Sequence, residues 1–328
     1  MPPEGAAAEL GSGPSLGRPD VARVVIAEFM DERAVARLIA VHDVLHDAGL
    51  VDDTPRLLRE AAGADALIVR NRTQVRGPLL AAMTRCKVVG RLGVGLDNID
   101  VDACAARGIA VIPATGANAL SVAEYVIAAA MLLLRGAYAS TADVAGGRWP
   151  RAALSAGREI AGKTLGLVGF GSIGQRTAAL AKAVGMRVVA CDPALPVGHP
   201  AYADAGVEPM SLDALVASAD VVSLHVPLVD ATRGLFDARR IAAMKRGAVL
   251  INSARGGIVD EAAVAAALKS GRLGGAALDV FAVEPLAAAH PFAGCPNLLL
   301  TPHVAGVSAE SNERVSFVIA EKVLEALH

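Results

Sequence analysis

The segment Thr164–Asp192, TLGLVGFGSIGQRTAALAKAVGMRVVACD, restricts this chain more than any other stretch. "TLGLVG" is an apolar run of strand length that leads straight into Gly169. Gly171 and Gly174 complete a G-x-G-x-x-G turn, "QRTAALAKAVG" reads as a helix closed by Gly185, and "RVVAC" is a second strand ending at Asp192. This order predicts a βαβ unit. In such a unit the first glycine permits the tight turn, the second lets backbone approach a pyrophosphate, and the third lets helix pack on strand. The helix N-terminus adds free N–H groups and positive dipole. Asp192 follows about twenty residues after the loop, where a carboxylate accepts hydrogen bonds from an adenosine ribose and repels a 2′-phosphate. No arginine follows in "CDPALP", so the pattern favours NAD over NADP.

The same alternation runs along the chain. "RVVIAE", "ALIVR", "KVVG" and "IAVIP" precede the glycine loop, and "DVVSLHV", "AVLIN", "GAALDV" and "LLLT" follow it. Helical stretches such as "SLDALVASA" and "DEAAVAAALKSG" lie between the later ones. Continuous apolar strands separated by helices predict parallel sheets covered on both faces. With "TLGLVG" and "RVVAC" there are too many strands for one ordinary sheet, which predicts two α/β units, one beginning near Val21. A length of 328 residues allows about two domains, and 54% hydrophobic residues supply a large core.

Other features narrow the function classes. A formal net charge of -2 gives no electrostatic reason to expect nucleic acid or an anionic membrane as a partner. Cys86, Cys104, Cys191 and Cys295 are far apart, which suits apolar burial in a reducing compartment better than disulfides or zinc. His42 and His46 are spaced to share a face but lack an obvious third ligand, so no metal is expected. The apolar run Val126–Leu134 is too short to span a bilayer and reads as a buried helix. Residues 1–20, rich in Pro, Gly and Ala, lack a basic segment before an apolar one. They are expected to be a disordered extension, and the protein to be cytoplasmic.

Three polar residues follow probable strands: Arg255 in "INSARGGIVDE", Glu284 in "ALDVFAVEP" and His303 in "LLLTPHVAG". In open parallel sheets, ligands bind at the carboxyl ends of strands. Oxidising a secondary alcohol with NAD needs a base for the hydroxyl proton, and histidine suits that task near neutral pH. A carboxylate can orient the imidazole, and an arginine can grip a substrate carboxylate with two prongs.

From about Val21 onward the chain resembles the D-isomer-specific 2-hydroxyacid dehydrogenases, in "GRLGVGLDNID", "NALSVAEYVI", "GKTLGLVGFGSIG", "NSARGGIVDE", "GGAALDVFAVEP" and "TPHVAG". The resemblance implies a catalytic trio of His303 as acid/base, Glu284 as its orienter and Arg255 as substrate anchor. It implies cofactor contacts at Gly169, Gly171, Ser172, Ile173, Gly174, Asp192, Val226, Ser253, Ala254, Arg255, Asp279 and His303. The loop Leu92, Gly93, Val94 and Gly95 would offer backbone N–H groups to the substrate carboxylate. The fold it implies is a Rossmann NAD-binding domain, residues 98–297, inserted into a flavodoxin-like substrate domain made of residues 21–97 and 298–328. A homodimer through the NAD-binding domain, partly by the "NALSVAEYVIAAAMLLL" helix, is the family norm.

Arg72 in "ALIVRNRTQVRG" could pair with a second anion on the substrate, as in a phosphoglycerate-like or sulfolactate-like hydroxy acid; it could equally be solvated or paired with a nearby Asp. A reading of another class is an NAD-sensing corepressor that binds without turnover, for which no basic patch or peptide-docking insertion is evident.

Overall fold

The structure, a computed structural model, describes residues 21–328. The N-terminal extension of residues 1–20 lies outside the described residues. The chain forms two compact units. Among the described residues, one holds 21–90 together with Asn98–Ile112 and Ala320–His328; the other holds Arg91–Asp97 and Pro113–Ile319.

The first unit is built on β1 (Arg23–Ile26), β2 (Asp43–His46), β3 (Ala66–Val69), β4 (Val88–Arg91) and β5 (Ala110–Pro113), in the order β2-β1-β3-β4-β5. Both neighbours of β1 run parallel to it. This is the flavodoxin-like order. Val25, Ile26, Leu67 and Ile68 are fully buried, as continuous apolar runs require of strands covered on both faces. Three of its helices begin at acids: Asp31, Asp53 and Asp100 each accept a first-turn N–H.

The second unit contains β6 (Thr164–Val168), β7 (Arg187–Cys191), β8 (Glu208–Pro209), β9 (Val221–Leu224), β10 (Ala248–Asn252), β11 (Leu273–Leu278) and β12 (Leu298–Leu300). They lie in the order β12-β11-β10-β9-β6-β7-β8, and every adjacent pair is parallel. Counted from β6, this is the Rossmann order with one strand added at the far edge. The order reverses between β6 and β9, which puts a ligand crevice outside their carboxyl ends. Leu215, Ile241 and Val264 pack one face of the sheet, and Val126, Leu133 and Ala178 the other. The residues from 298 to 319 belong with this unit, beyond the boundary near Asn297 that the sequence suggested, because β12 extends its sheet by pairing with β11.

All ten runs read as strands contain strands. The structure adds two that the reading passed over, β2 and β8, each at a sheet edge. β2 is at best half-buried and β8 has only two residues, so neither carries a long apolar run. The helix Ala119–Arg135 explains its own apolar surface. Most of it is buried within the chain, against the helix Ser172–Ala183 and against β10 and β11, leaving Leu120 and Met131 as its exposed large apolar side chains. Its hydrophobicity alone therefore says nothing of an interface between copies. No single helix among the described residues is long and apolar enough to cross a membrane.

Candidate active site

β6 ends in the glycine loop. Gly169 has φ +100°, and a Cβ there would lie 2.6 Å from the carbonyl of His225, just after β9. A Cβ on Gly174 would lie 2.4 Å from the Gly169 carbonyl oxygen. Both positions therefore exclude a side chain. At Gly171 the space a side chain would take is empty. No side chain caps the helix that starts at Ser172, so the N–H groups of Ser172, Ile173 and Gly174 have no side-chain acceptor. This is an open cradle of donors at a helix N-terminus, which fits a pyrophosphate.

Asp192, at the end of β7, accepts from Phe170 N at 2.7 Å through Oδ2 and from Ala194 N at 2.8 Å through Oδ1. The carboxylate is thus fixed beside the loop, with lone pairs left for ribose hydroxyls. Val226 is 6% exposed and packs into the core behind the loop. Ser253 Oγ is buried without a hydrogen-bond partner. A buried hydroxyl in that state costs about 1–3 kcal/mol unless a ligand satisfies it. Open cradle, fixed acid and orphaned hydroxyl together fit NAD.

The three proposed catalytic residues sit on neighbouring loops of this unit. β10 leads into the turn that carries Arg255. Asn252, 1% exposed, shapes this turn: its Oδ1 accepts from Ala254 N at 3.1 Å and its Nδ2 donates to Arg255 O at 2.9 Å. A Cβ on Gly256 would lie 1.7 Å from Phe281 O, so this glycine lets the turn press against the loop after β11. That loop carries Glu284, whose Oε1 accepts from Phe281 N at 3.0 Å. Its Oε2 lies 2.8 Å from His303 Nδ1. The sequence pairing of Glu284 with His303 is therefore realised in space; Arg255 hydrogen-bonds to neither of them.

His303 has φ +57°, a left-handed conformation that costs a non-glycine residue about 1–2 kcal/mol. Asp279, 1% exposed at the end of β11, holds it there. Asp279 O accepts from His303 N at 2.8 Å. Its Oδ1 accepts from Thr301 Oγ1 at 2.6 Å and Val304 N at 2.8 Å, and its Oδ2 from Ala305 N at 2.8 Å. Thr301 spends its hydroxyl proton on this carboxylate, so Tyr125, 2.8 Å away, is the donor to Thr301. Burial pushes the Tyr125 phenol up, which keeps that proton in place. Asp279, expected among the cofactor contacts, thus spends both carboxylate oxygens on the His303 loop.

The loop Leu92–Gly95 lies in the same unit. Arg91 Nη1 donates to Leu92 O at 3.1 Å, and the Arg255 guanidinium lies against Gly95. Two guanidinium groups beside a glycine-rich backbone suit an anion. In the first unit, Arg72 forms a two-pronged ion pair with Asp52, both well exposed. The paired state is therefore the one realised. Glu28, 4% exposed, accepts from Arg70 N, Arg72 N and Thr73 N at 2.8, 3.2 and 3.0 Å and so fixes the backbone that presents Arg72. Among the described residues no group of three or more His, Cys, Asp or Glu side chains is placed to hold a metal ion. Sequence reading missed Asn252, Glu28 and Asp97. Their signals, an acid or amide ending a strand and the "GLDNID" run, are too common to single out.

A Rossmann sheet with an open phosphate cradle and an acid for the ribose defines a dinucleotide-binding protein. Comparison with known proteins gives the particular family. The profile described as "D-isomer specific 2-hydroxyacid dehydrogenase, NAD binding domain" matches residues 127–305. The (S)-sulfolactate dehydrogenase of Chromohalobacter salexigens is 54% identical over 305 residues, 93% of this chain and 98% of that protein. The D-3-phosphoglycerate dehydrogenase of Mycobacterium leprae is 41% identical over 308 residues, 94% of this chain but 57% of that longer protein. The crystal structure of the TT0316 protein from Thermus thermophilus superposes with a TM-score of 0.84 at 35% identity, covering 93% of this chain and 96% of that one. The chain belongs to the D-isomer-specific 2-hydroxyacid dehydrogenases and is an NAD-dependent enzyme acting on a CH–OH group. The corepressor reading is not favoured.

One titration follows from the crevice. His225, after β9, pairs with Ser223 Oγ at 3.0 Å, and burial pushes its imidazole down to about 4 from 6.5. Between those values the unfolded chain binds a proton that the folded one does not, so stability falls as pH drops from 6.5 toward 4. The loss is about 1–3 kcal/mol, nearer the lower end because part of the residue reaches solvent. In urea titrations across this range, His225→Gln should flatten the pH dependence of stability; an unchanged slope would refute the assignment.

Proposed function

We propose that the chain interconverts a 2-hydroxy acid bearing a second anionic group and its 2-oxo acid, with His303 as acid/base, Glu284 as its orienter and Arg255 as the substrate's carboxylate anchor. The observation that carries this reading is the 2.8 Å contact between His303 Nδ1 and Glu284 Oε2. A carboxylate only accepts, so the neutral ring holds its proton on Nδ1 and keeps a lone pair on Nε2. Nε2 then takes the hydroxyl proton, and Glu284 stabilises the imidazolium that results. In the reverse direction the same nitrogen returns the proton to the carbonyl oxygen. Gly169, Gly171, Ser172, Ile173 and Gly174 would hold the NAD pyrophosphate, Asp192 the ribose, and Ser253 a polar group of the buried end. When bound, the nicotinamide accepts the C2 hydrogen with its electron pair or gives it back. Ala254, Val226 and the backbone of Leu92–Gly95 would line the ligands. His303→Ala should lower kcat by about 10²–10⁴-fold. Wild-type turnover in that variant would overturn the assignment.

The second anion is assigned to Arg72. A relative 54% identical is named for (S)-sulfolactate, a 2-hydroxy acid that also carries a sulfonate. The Asp52 pair engages Nη1 and Nη2 of Arg72, and a guanidinium has five N–H donors, so donors remain for an anion. NADH formation from both enantiomers of sulfolactate, 3-phosphoglycerate and lactate, compared with Arg72→Ala, separates the readings. The variant should raise KM about tenfold or more for the dianionic substrate and leave lactate unaffected. Equal effects on both, or none, would remove Arg72 from the site.

A homodimer in a reducing cytoplasm completes the reading. All four cysteines are free. Beyond the helix Ala119–Arg135, Trp149 is 77% exposed, Tyr138 64% and Val144 46%. Trp149 and Val144 line a hollow of about 320 Å³ with Pro150 and Leu154, a surface suited to a second copy of the same face. Light scattering of Trp149→Glu should give the mass of a monomer; a dimer of unchanged affinity would move the interface elsewhere.

A further inference from the structure

We infer that Asp97 is a positioning residue that fixes which edge of the Arg255 guanidinium is offered to the substrate. This rests on the reading of Arg255 as the carboxylate anchor. The two residues are 158 positions apart in sequence, and Arg255 Nε donates to Asp97 Oδ2 at 2.7 Å. Arg255 Nη1 donates to Ala254 O at 2.6 Å. With five N–H donors in a rigid plane, these two bonds fix the plane and leave the Nη2 hydrogens and one Nη1 hydrogen for a ligand. Gly95 makes the arrangement possible. A Cβ at that position would lie 1.4 Å from Arg255 Nη2 and 2.8 Å from Asp97 Oδ2. Any side chain at Gly95 would occupy the place where the guanidinium lies. The "GLDNID" run therefore supplies a seat at Gly95 and a clamp two residues later.

Magnitudes separate this role from a stabilising one. The Asp97 side chain is 54% exposed and that of Arg255 25%. A pair that open to solvent contributes at most about 1 kcal/mol to folding. Misplacing a substrate anchor by about 1 Å, by contrast, costs up to about 100-fold in rate. Asp97 holds one edge of the anchor and the Ala254 carbonyl another, so removing the carboxylate frees the plane to swing about the remaining bond. An asparagine keeps an oxygen that can accept from Nε, so it should preserve the orientation.

The test measures reduction by NADH of whichever of sulfopyruvate, phosphohydroxypyruvate and hydroxypyruvate the wild-type enzyme turns over fastest. It uses Asp97→Ala, Asp97→Asn, Gly95→Ala, Arg255→Ala and the Asp97→Ala/Arg255→Ala double variant, with Tm and NADH Kd measured for each. The expected result for Asp97→Ala is a roughly 10–100-fold lower kcat/KM, to which KM and kcat both contribute, at unchanged Tm and NADH Kd. Gly95→Ala should do the same by displacing the guanidinium, Asp97→Asn should recover most of the loss, and Asp97→Ala should add nothing in the Arg255→Ala background. Should Asp97→Ala lower Tm, Asp97→Ser takes its place. Near wild-type kcat/KM in the Ala or Ser variant, a loss that persists on top of Arg255→Ala, or a loss confined to NADH affinity would overturn the positioning role. If Arg255→Ala itself keeps wild-type activity, the anchor reading falls first.

Discussion

The carboxylate of Asp279 is the contact on which the rest of the proposed chemistry depends. It is buried, and a buried carboxylate persists only when its lone pairs are satisfied. Here the donors all come from one short turn: Thr301 Oγ1, Val304 N and Ala305 N. The turn they define contains His303 in a conformation its own backbone disfavours. Strain of that kind survives only where surrounding bonds outweigh it, and the four bonds to Asp279, three to its carboxylate and one from His303 N to its carbonyl, do so. The result is an imidazole aimed at Glu284 before any ligand arrives, which removes an ordering cost from binding.

The second unit applies the same economy to the cofactor. Strand order reverses between β6 and β9, and the loops after these strands meet where Gly169 packs against the backbone of His225. The following helix has glycine, Gly171, at its N-cap, so its first-turn N–H groups lack a side-chain cap, and a bound anion would take the place of one. Arg255 follows the same pattern: it is held by Asp97 and by its neighbour's carbonyl and keeps donors in reserve. The helix N-terminus and Arg255 are each fixed on one side and keep donors on the other.

Much of this was legible in the chain. β6, the glycine loop and β7 follow from local composition, because a fully buried parallel strand must be apolar throughout and the turn must be glycine. The helix of Val126–Leu134 was legible as buried, and the structure supplies the cover, the helix Ser172–Ala183 and the adjoining strands. Edge strands were not legible: β2 and β8 are short and little buried, so nothing forces an apolar run on them. Asp97, Asn252 and Glu28 escaped for a different reason. Each acts through one or a few hydrogen bonds to a turn, and a polar residue at a strand end has the same appearance whether it makes those bonds or faces water.

The sequence by itself determined the two α/β units, the dinucleotide loop and the preference for NAD, and it singled out three residues proposed for the chemistry. These depend on local periodicity and on residue types whose chemistry is intrinsic. Only the tertiary structure decided the other partners: Asp97 for Arg255, Asp52 for Arg72, and the His303 loop for Asp279. A hydrogen bond depends on distance and angle across turns joined by sheet pairing, and composition contains no record of either.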